Sequence, residues 1–576
     1  MKHLDQFSYT EVMPVLSTEG MRALDKAAKE EMAKAAGDGI SAVDAGYELM
    51  KQAGAALFQK AIEVLNRDAV CRGTGNADEM RAEIAPRSVA VFVGGGNNGG
   101  DGLVLAKLLI EAGIPCTTYS LATADKFQNE AKMALEDFSQ AGGRLIAYSP
   151  IAESLPPAET ARRMPRFARF DLIVDCMLGN GAHGELRELY AAAVRDIAAS
   201  NIPVVAADAP TGNDSQAHGR REPCTRACET LLFGFPRLDA YTREGGPAFG
   251  EASVAPLGYP ASTVAQFSEN TFLATEALVP QMLPERDDWG DKRKQGCAMI
   301  IAGSGDMPGA AALCTQAVLR SGAGLVTLAS PDAIMPVLQT KLSEPVFCNL
   351  QDIAGQDGDS VDDRATSFSS AHIPQILEKA KHNQALAIGP GLGSAECTQS
   401  AVIDLLTQIA CPTVIDADAL NAIATLNKTS ASPASGAASF LYGIPCEAIL
   451  TPHRREFERL FGALPTNDID IPDLLRDISR NTKKVILLKG APTFVAVPDG
   501  RVFVIPAHNS GLAKGGSGDV LTGIITALLA QGLHAPEAAV LGALLHQKAG
   551  RLARKKLGAF SMLPSDVIEM LPQAFN

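Results

Sequence analysis

Apolar positions recur along this chain with two periods, and stretches of the two alternate. Ser17 to Ala36 is rich in Ala, Lys, Glu and Met, and Ser17-Thr18-Glu19-Gly20 gives it a helix start. A second helix is predicted from Ala42 to Leu65, through Leu49, Met50, Ala53 and Leu57. Residues 66–86 are polar and mixed, and read as a loop or insertion. Three short apolar runs then suit buried parallel strands: Val89–Val93, Leu172–Val174 ending in Asp175, and Pro203–Ala207 ending in Asp208. The first enters a glycine loop, Gly94 to Gly102, with a helix predicted from Leu103 to Glu111.

The same alternation resumes further on. A strand runs into the glycine turn at Gly303-Ser304-Gly305, followed by a helix from Pro308 to Ser321 and a strand from Gly324 to Ala329. Ala385–Ile388 ends in Gly389-Pro390-Gly391-Leu392-Gly393, and Thr413–Ile415 ends in the acids Asp416 and Asp418. Ala448–Leu450 leads to Thr451-Pro452-His453, and Lys484–Leu488 leads to Lys489. Phe494–Val497 and Val502–Ile505 flank Pro498-Asp499-Gly500, a hairpin pattern. Last comes the turn Lys514-Gly515-Gly516-Ser517-Gly518-Asp519, with a helical apolar stripe at Val520, Leu521, Ile524, Ile525, Leu528 and Leu529. Strand-then-helix order throughout predicts two α/β domains. We place them at 1–260 and 291–576, with 261–290 as linker and polar loops at 351–370 and 427–440.

A length of 576 residues exceeds what one core supports, which agrees with two domains. The net charge of −14 argues against nucleic acid and anionic membrane as partners. Eleven cysteines are scattered without zinc spacing, which fits a reducing compartment and a cytoplasmic protein. The first residues carry acids and no apolar run, and no stretch approaches the ~18 apolar residues of a membrane span.

The candidate chemistry lies at strand ends and glycine turns. Asn97 and Asn98 supply amide donors and acceptors, suited to an amide-bearing ligand or an oxygen-coordinated cation; alternatively they only supply positive φ in a tight turn. In an open parallel sheet the carboxyl ends of strands line the ligand crevice, so Asn98, Asp175, Asp208 and Thr211 form an oxygen-rich pocket. Gly515, Gly516 and Gly518 stand at a helix N-terminus, where unpaired N–H groups receive phosphate. Asp519 beside them would repel an anion unless it takes a proton or binds a neutral hydroxyl. Lys489 could meet a phosphate from its strand end. His453 is open to three readings: ligand contact, general acid or capped turn. Asp416 and Asp418 either face a cation or cap the following helix.

Taken together these motifs resemble a known pair of domains. From about Val15 to Pro260, Glu48-Leu49-Met50, GGGNNGGDG, Asp175 with its GNG, and DAPTG resemble the YjeF N-terminal domain, the NAD(P)H-hydrate epimerase. From about residue 290 to 573, GPGLG, IDADALNAIA, LTPHRREFERL, KGAPT and KGGSGDVLTG look like the YjeF C-terminal domain, the ADP- or ATP-dependent NAD(P)H-hydrate dehydratase. The resemblance implies a Rossmann-like first domain and a ribokinase-like second. It implies that Asn97, Asn98, Gly99, Gly100, Asp101, Gly179, Asn180, Gly181, Ala182, His183, Gly184, Glu185 and Asp208 contact the hydrated nucleotide, with Asp208 catalytic. A potassium ion would be held by Asn98, Asp175 and Thr211. In the second domain it implies Ala310, Gly391, His453 and Asp519 as substrate contacts, with Asp519 as the base. Lys489, Gly490, Ala491, Pro492, Thr493 and Gly518 would hold ADP or ATP, with Mg2+. It also suggests a homo-oligomer. Arg237 stands where the family commonly has Lys, which keeps the charge but removes proton shuttling. Two other functions stay open: a vitamin or sugar-alcohol kinase with a nucleotide-binding front domain, and a front half that only binds protein or RNA.

Overall fold

The computed structural model describes Leu4 and residues 12–37, 39–72, 87–150, 167, 169–214, 219–220, 222–267, 269–351, 367–429 and 435–576. They form two compact units: Pro14–Glu269 with Asn467–Ile469, and Met1–Met13 with Asn270–Thr466 and Asp470–Asn576.

The first unit is built on a seven-stranded sheet. In chain order its strands are β1 (Val89–Val93), β2 (Cys116–Ser120), β3 (Leu145–Ala147), β4 (Leu172–Cys176), β5 (Val204–Ala207), β6 (Glu229–Phe233) and β7 (Glu251–Ala255). Their spatial order is β7-β6-β5-β4-β1-β2-β3, with every neighbouring pair parallel. Every residue of β1 and β4 is buried, which is why Val89–Val93 and Leu172–Val174 read as uninterrupted apolar runs. The strand order reverses direction at β1 and β4, so the crevice for a ligand opens beyond their carboxyl ends.

Two local features differ from the sequence-based expectation. The helix after β1 begins at Asn97, not Leu103, so most of the glycine loop is its first turn. Gly96 stands at the N-cap, and Asn97, Asn98 and Gly99 carry backbone N–H groups that a helix start leaves unpaired, while the Gly100 N–H donates to the Gly96 carbonyl at 3.1 Å. Close packing requires the glycines: a Cβ on Gly99 would run into the Gly94 carbonyl, and one on Gly102 would lie 2.9 Å from Cys176 Sγ. The second predicted helix runs Ala42–Arg72, so residues 66–72 are helical; 73–86 lie outside the described residues.

The second unit holds an eleven-stranded sheet that contains ten strands from beyond residue 270: β8 (Thr271–Leu273), β9 (Cys297–Ile301), β10 (Leu325–Pro331), β11 (Val346–Leu350), β12 (Ala385–Ile388), β13 (Thr413–Ile415), β14 (Ala448–Leu450), β15 (Val485–Leu488), β16 (Thr493–Ala496) and β17 (Val502–Ile505). They lie in the order β8-β17-β16-β15-β14-β13-β12-β9-β10-β11. The β15–β16 and β16–β17 pairs are antiparallel and include the predicted hairpin. The segment expected as a linker is ordered: Ala261–Val264 is helical, and β8 pairs in parallel with β17, placing Thr271 opposite Val502. Its apolar Phe272 stacks on Phe503, contact that a free linker would forgo. The polar stretch 427–440 also contains helix, at Ser435–Gly443, where Ala437 and Leu441 are buried; 352–366 lie outside the described residues. The helix Ser517–Ala530 is the spine of this unit, with Val520, Leu521, Ile524, Ile525, Leu528 and Leu529 all buried against the helices Pro308–Arg320 and Ala535–Ser561.

Candidate active sites

In the first unit a cavity of about 540 Å³ opens beyond the carboxyl ends of β1, β4 and β5. Asn97, Asn98, Asp101, Gly179, Asn180, Gly181, Ala182 and Asp208 line it together. Gly99 and Gly100 are buried in the helix start behind the wall, while His183, Gly184 and Glu185 are exposed and do not line the cavity. Sequence reasoning missed Arg22, Asp25, Lys29 and Glu130, which also line it. Lys29 Nζ lies 2.9 Å from Asp25 Oδ2 and 3.0 Å from Glu130 Oε1. The i,i+4 spacing of Asp25 and Lys29 was a visible signal, but it is shared by many solvent-facing pairs.

Asp208 is held from three sides. Arg237 Nη1 donates to its Oδ1 at 2.7 Å, Arg237 Nη2 to its carbonyl at 3.0 Å, and the Asn180 N–H to its Oδ2 at 2.9 Å. Its φ is 61°, a left-handed value uncommon for a non-glycine residue and typical of a constrained site. Arg237 is itself buried and lies 3.4 Å from Asp239, so its guanidinium is fixed between two acids. Beside this, Asp175 is fully buried at the end of β4. It accepts from the Met177 N–H at 3.1 Å, the Thr211 N–H at 2.9 Å and the Thr211 hydroxyl at 2.8 Å. Burial pushes its carboxyl up, and these donors pull the other way. Asn98 is buried, and among the described residues neither polar atom of its amide has a partner.

The second site forms where the Ser517–Ala530 helix begins. Gly516, at φ 98°, turns the chain into it. Lys489 Nζ donates to Asp416 Oδ1 at 2.7 Å, and the Thr522 hydroxyl donates to Asp416 Oδ2 at 2.7 Å. A Cβ on Gly518 would lie 3.2 Å from Lys489 Nζ, so this turn closely approaches the lysine. Burial pushes the Asp519 carboxyl up to about 7, assisted by Asp416 and opposed by Lys489. Burial opposes the charge on Lys489, yet Asp416 and then Glu456 outweigh it and raise the lysine. His546 is buried against the backbone of Ser517, and burial drives it down to about 4.

The remaining predicted residues divide into four groups. His453 joins this site through the backbone, as a parallel bridge partner of Lys489, with the Lys489 N–H on the Pro452 carbonyl at 2.9 Å. Its ring is half exposed and caps the helix Arg454–Phe461, with the Glu456 N–H on its Nδ1 at 3.2 Å. Asp418 accepts from the Gly393 N–H at 2.8 Å, and neither it nor Asp416 caps the helix Ala417–Thr425 as an N-cap side chain. Ala310 and Gly391 pack on each other, since a Cβ on Gly391 would lie 2.8 Å from that of Ala310. Gly490 and Ala491 are exposed; Pro492 and Thr493 are buried, and the Thr493 hydroxyl donates to the Gly490 carbonyl at 3.0 Å.

Two carboxylate-bearing turns, one on each unit, therefore confront a cavity or a helix start rich in donors. A family model described as "NAD(P)H-hydrate dehydratase" matches residues 298–573, and one described as "YjeF-related protein N-terminus" matches 46–238. A protein of Moorella thermoacetica named as a bifunctional NAD(P)H-hydrate repair enzyme is 35% identical over 495 residues, covering 86% of this chain and 88% of that protein. The chain belongs to this family. A bifunctional NAD(P)H-hydrate repair enzyme of Thermofilum pendens is 31% identical over 493 residues, covering 85% of this chain and 88% of its own. A solved ADP/ATP-dependent NAD(P)H-hydrate dehydratase from Bacillus subtilis is 30% identical, covers 52% of this chain and 98% of its own, and gives a TM-score of 0.41. As a bifunctional NAD(P)H-hydrate repair enzyme the chain carries an epimerase domain and a dehydratase domain, and the vitamin or sugar-alcohol kinase reading gives way. Among the described residues no helix is long and apolar enough to cross a membrane.

Proposed function

We propose that the second unit dehydrates S-NAD(P)HX to NAD(P)H with ADP or ATP as phosphoryl donor, and that Asp519 is its base. The observation that carries this is the placement of Asp519 in the same first helical turn as Gly518, which abuts Lys489 Nζ. Asp519 takes the proton of the ring hydroxyl as the phosphoryl group arrives. Backbone N–H groups of Gly515, Gly516 and Gly518 and the Lys489 ammonium meet the charge that develops. The C6–O bond of this phosphate ester then breaks, phosphate leaves with the electron pair, and the departing phosphate takes up the neighbouring C5 proton, which restores the dihydropyridine. Both oxygens of Asp416 are taken by Lys489 and Thr522, so Mg2+ would come with the nucleotide phosphates and would shield their charge. In this reading Lys489, Gly490 and Ala491 face the nucleotide, Gly518 its phosphates, and Ala310, Gly391 and His453 the hydrate. Pro492 and Thr493 shape the loop.

We further propose that the first unit interconverts the R and S epimers at C6, with Asp208 as a catalytic group and the 540 Å³ cavity as its substrate site. The fully buried Asp175, and the Asn98 amide that finds no partner among the described residues, fit a monovalent cation: Asn98, Asp175 and Thr211 would hold K+, which would balance the buried carboxylate. A cytoplasmic homo-oligomer is the state we expect. The test supplies mixed NADHX epimers with ADP or ATP and follows reduced nicotinamide and nucleotide together. Full conversion needs both sites; conversion of only half the pool would remove the epimerase, and a stable phosphorylated alcohol would remove the dehydratase.

A further inference from the structure

We propose that Asp101 is the acid of the epimerase site, acting opposite Asp208 as base; this rests on the epimerase reading above. Both carboxyls line the one cavity, in opposite surroundings. Asp208 has the Arg237 guanidinium and the Asn180 N–H directed at its oxygens. Asp101 is 8% exposed, and among the described residues no hydrogen bond reaches its carboxyl. The groups that face it add little positive charge. Asp25 and Lys29 come from the helix Thr18–Ala36, but Lys29 is already paired with Asp25 and with Glu130 of the helix Asn129–Gln140. Asp208 itself, the buried thiol of Cys176 and the hydroxyl of Tyr259 are further titratable neighbours, and Arg22, which donates to the Gly181 carbonyl, and Tyr190 line the same cavity. The helix Ala42–Arg72 contributes only apolar residues and Gly46 to this wall, at Leu49, Met50 and Ala53. Burial first, then the charges of Asp208 and Asp25, hold the Asp101 carboxyl well above the ordinary carboxylate range against the pull of Lys29. A carboxyl kept protonated by burial, in one cavity with a second carboxyl fixed by a guanidinium, can serve as the acid of an acid–base pair.

The substrate gives such a pair a defined task, because the C6 hydroxyl sits on a carbon bonded to the ring nitrogen. Asp208 takes the hydroxyl proton and a carbon–oxygen double bond forms. The carbon–nitrogen bond breaks, its electron pair passes to nitrogen, and Asp101 supplies the proton that nitrogen takes up. The open-chain aldehyde turns about its carbon–carbon bond. Nitrogen then adds to the other face, its proton returns to Asp101, and the alkoxide recovers the proton from Asp208. Nothing is oxidised or reduced, and both carboxyls end as they began. The reaction therefore runs equally in either direction, as an epimerase requires.

The experiment uses the full chain and purified R-NADHX, separating the epimers chromatographically over time. In Asp101→Asn we expect a melting temperature near wild type and a KM within a few-fold. Its kcat should fall by about 10²–10⁴, the usual worth of a positioned proton donor. The wild-type kcat should decline on the alkaline side as the acid loses its proton, and Asp101→Glu should move that limb. A wild-type kcat in Asp101→Asn overturns the proposal. Should that variant melt below the assay temperature, an unmoved alkaline limb in Asp101→Glu overturns it instead. Wild-type protein that leaves R-NADHX unchanged removes the epimerase reading and this one together.

Discussion

Lys489 Nζ and Asp416 Oδ1 lie 2.7 Å apart, joining the ends of β15 and β13 beneath the turn that carries Asp519. Asp416 is 1% exposed, so its carboxylate depends on this lysine and on Thr522. Removing one partner of a buried pair leaves a charge without compensation, at about 3–5 kcal/mol. Lys489→Ala should therefore destabilise the second unit by roughly that amount, read by denaturant unfolding. The double variant with Asp416→Asn should lose less than the two single losses added.

Gly99 offers a test of the first unit's glycine start. A Cβ there meets the Gly94 carbonyl, which is backbone and cannot rotate away. Gly99→Ala should shift the first turn of the helix, cost about 1–3 kcal/mol, and reduce epimerisation while the dehydratase assay keeps its rate. Thermal melting and the two assays in parallel check it. Unchanged epimerisation would show that the turn yields.

The stability of the second unit should also depend on pH through Asp519. Its carboxyl is raised from an ordinary 3.8 to about 7, so the folded chain keeps a proton that the unfolded chain releases between those values. Stability from this group is therefore lost as pH rises from about 4 to about 7. The total is up to ~4 kcal/mol before solvent screening reduces it. Asp519→Asn should flatten that part of the curve and be the more stable protein at pH 8. Equal slopes for the two proteins in urea titrations across this range would contradict the assignment.

Much of this was legible in the chain itself. Short apolar runs ending in Asp175, Asp208 and Lys489 announced parallel strands with chemistry at their carboxyl ends, and the glycine turn before Val520 announced a buried helix. Other features depend on tertiary neighbours. Nothing local says that Asn97 to Gly102 is already helix, because glycine and asparagine have low helical propensity and only packing against Gly94 and Cys176 overrides it. Nothing local pairs Thr271–Leu273 with Val502–Ile505, 231 residues away by the Thr271–Val502 register. Of the Asp25–Lys29–Glu130 cluster only the i,i+4 spacing of Asp25 and Lys29 shows in the chain, since Glu130 joins them from a separate helix.

One assay bears most directly on the central claim, that Asp519 faces the hydrate's hydroxyl and a phosphoryl donor together. Wild type and Asp519→Asn are given S-NADHX with ADP or ATP, and the return of reduced-nicotinamide absorbance is followed from pH 5 to 9. We expect wild-type rates to rise through about pH 7 as the base ionises, with one phosphate released per NADH formed. The variant should be slower by about 10²–10⁴ while still epimerising R-NADHX. Dehydration by Asp519→Asn at the wild-type rate, with the same pH dependence, would contradict the account.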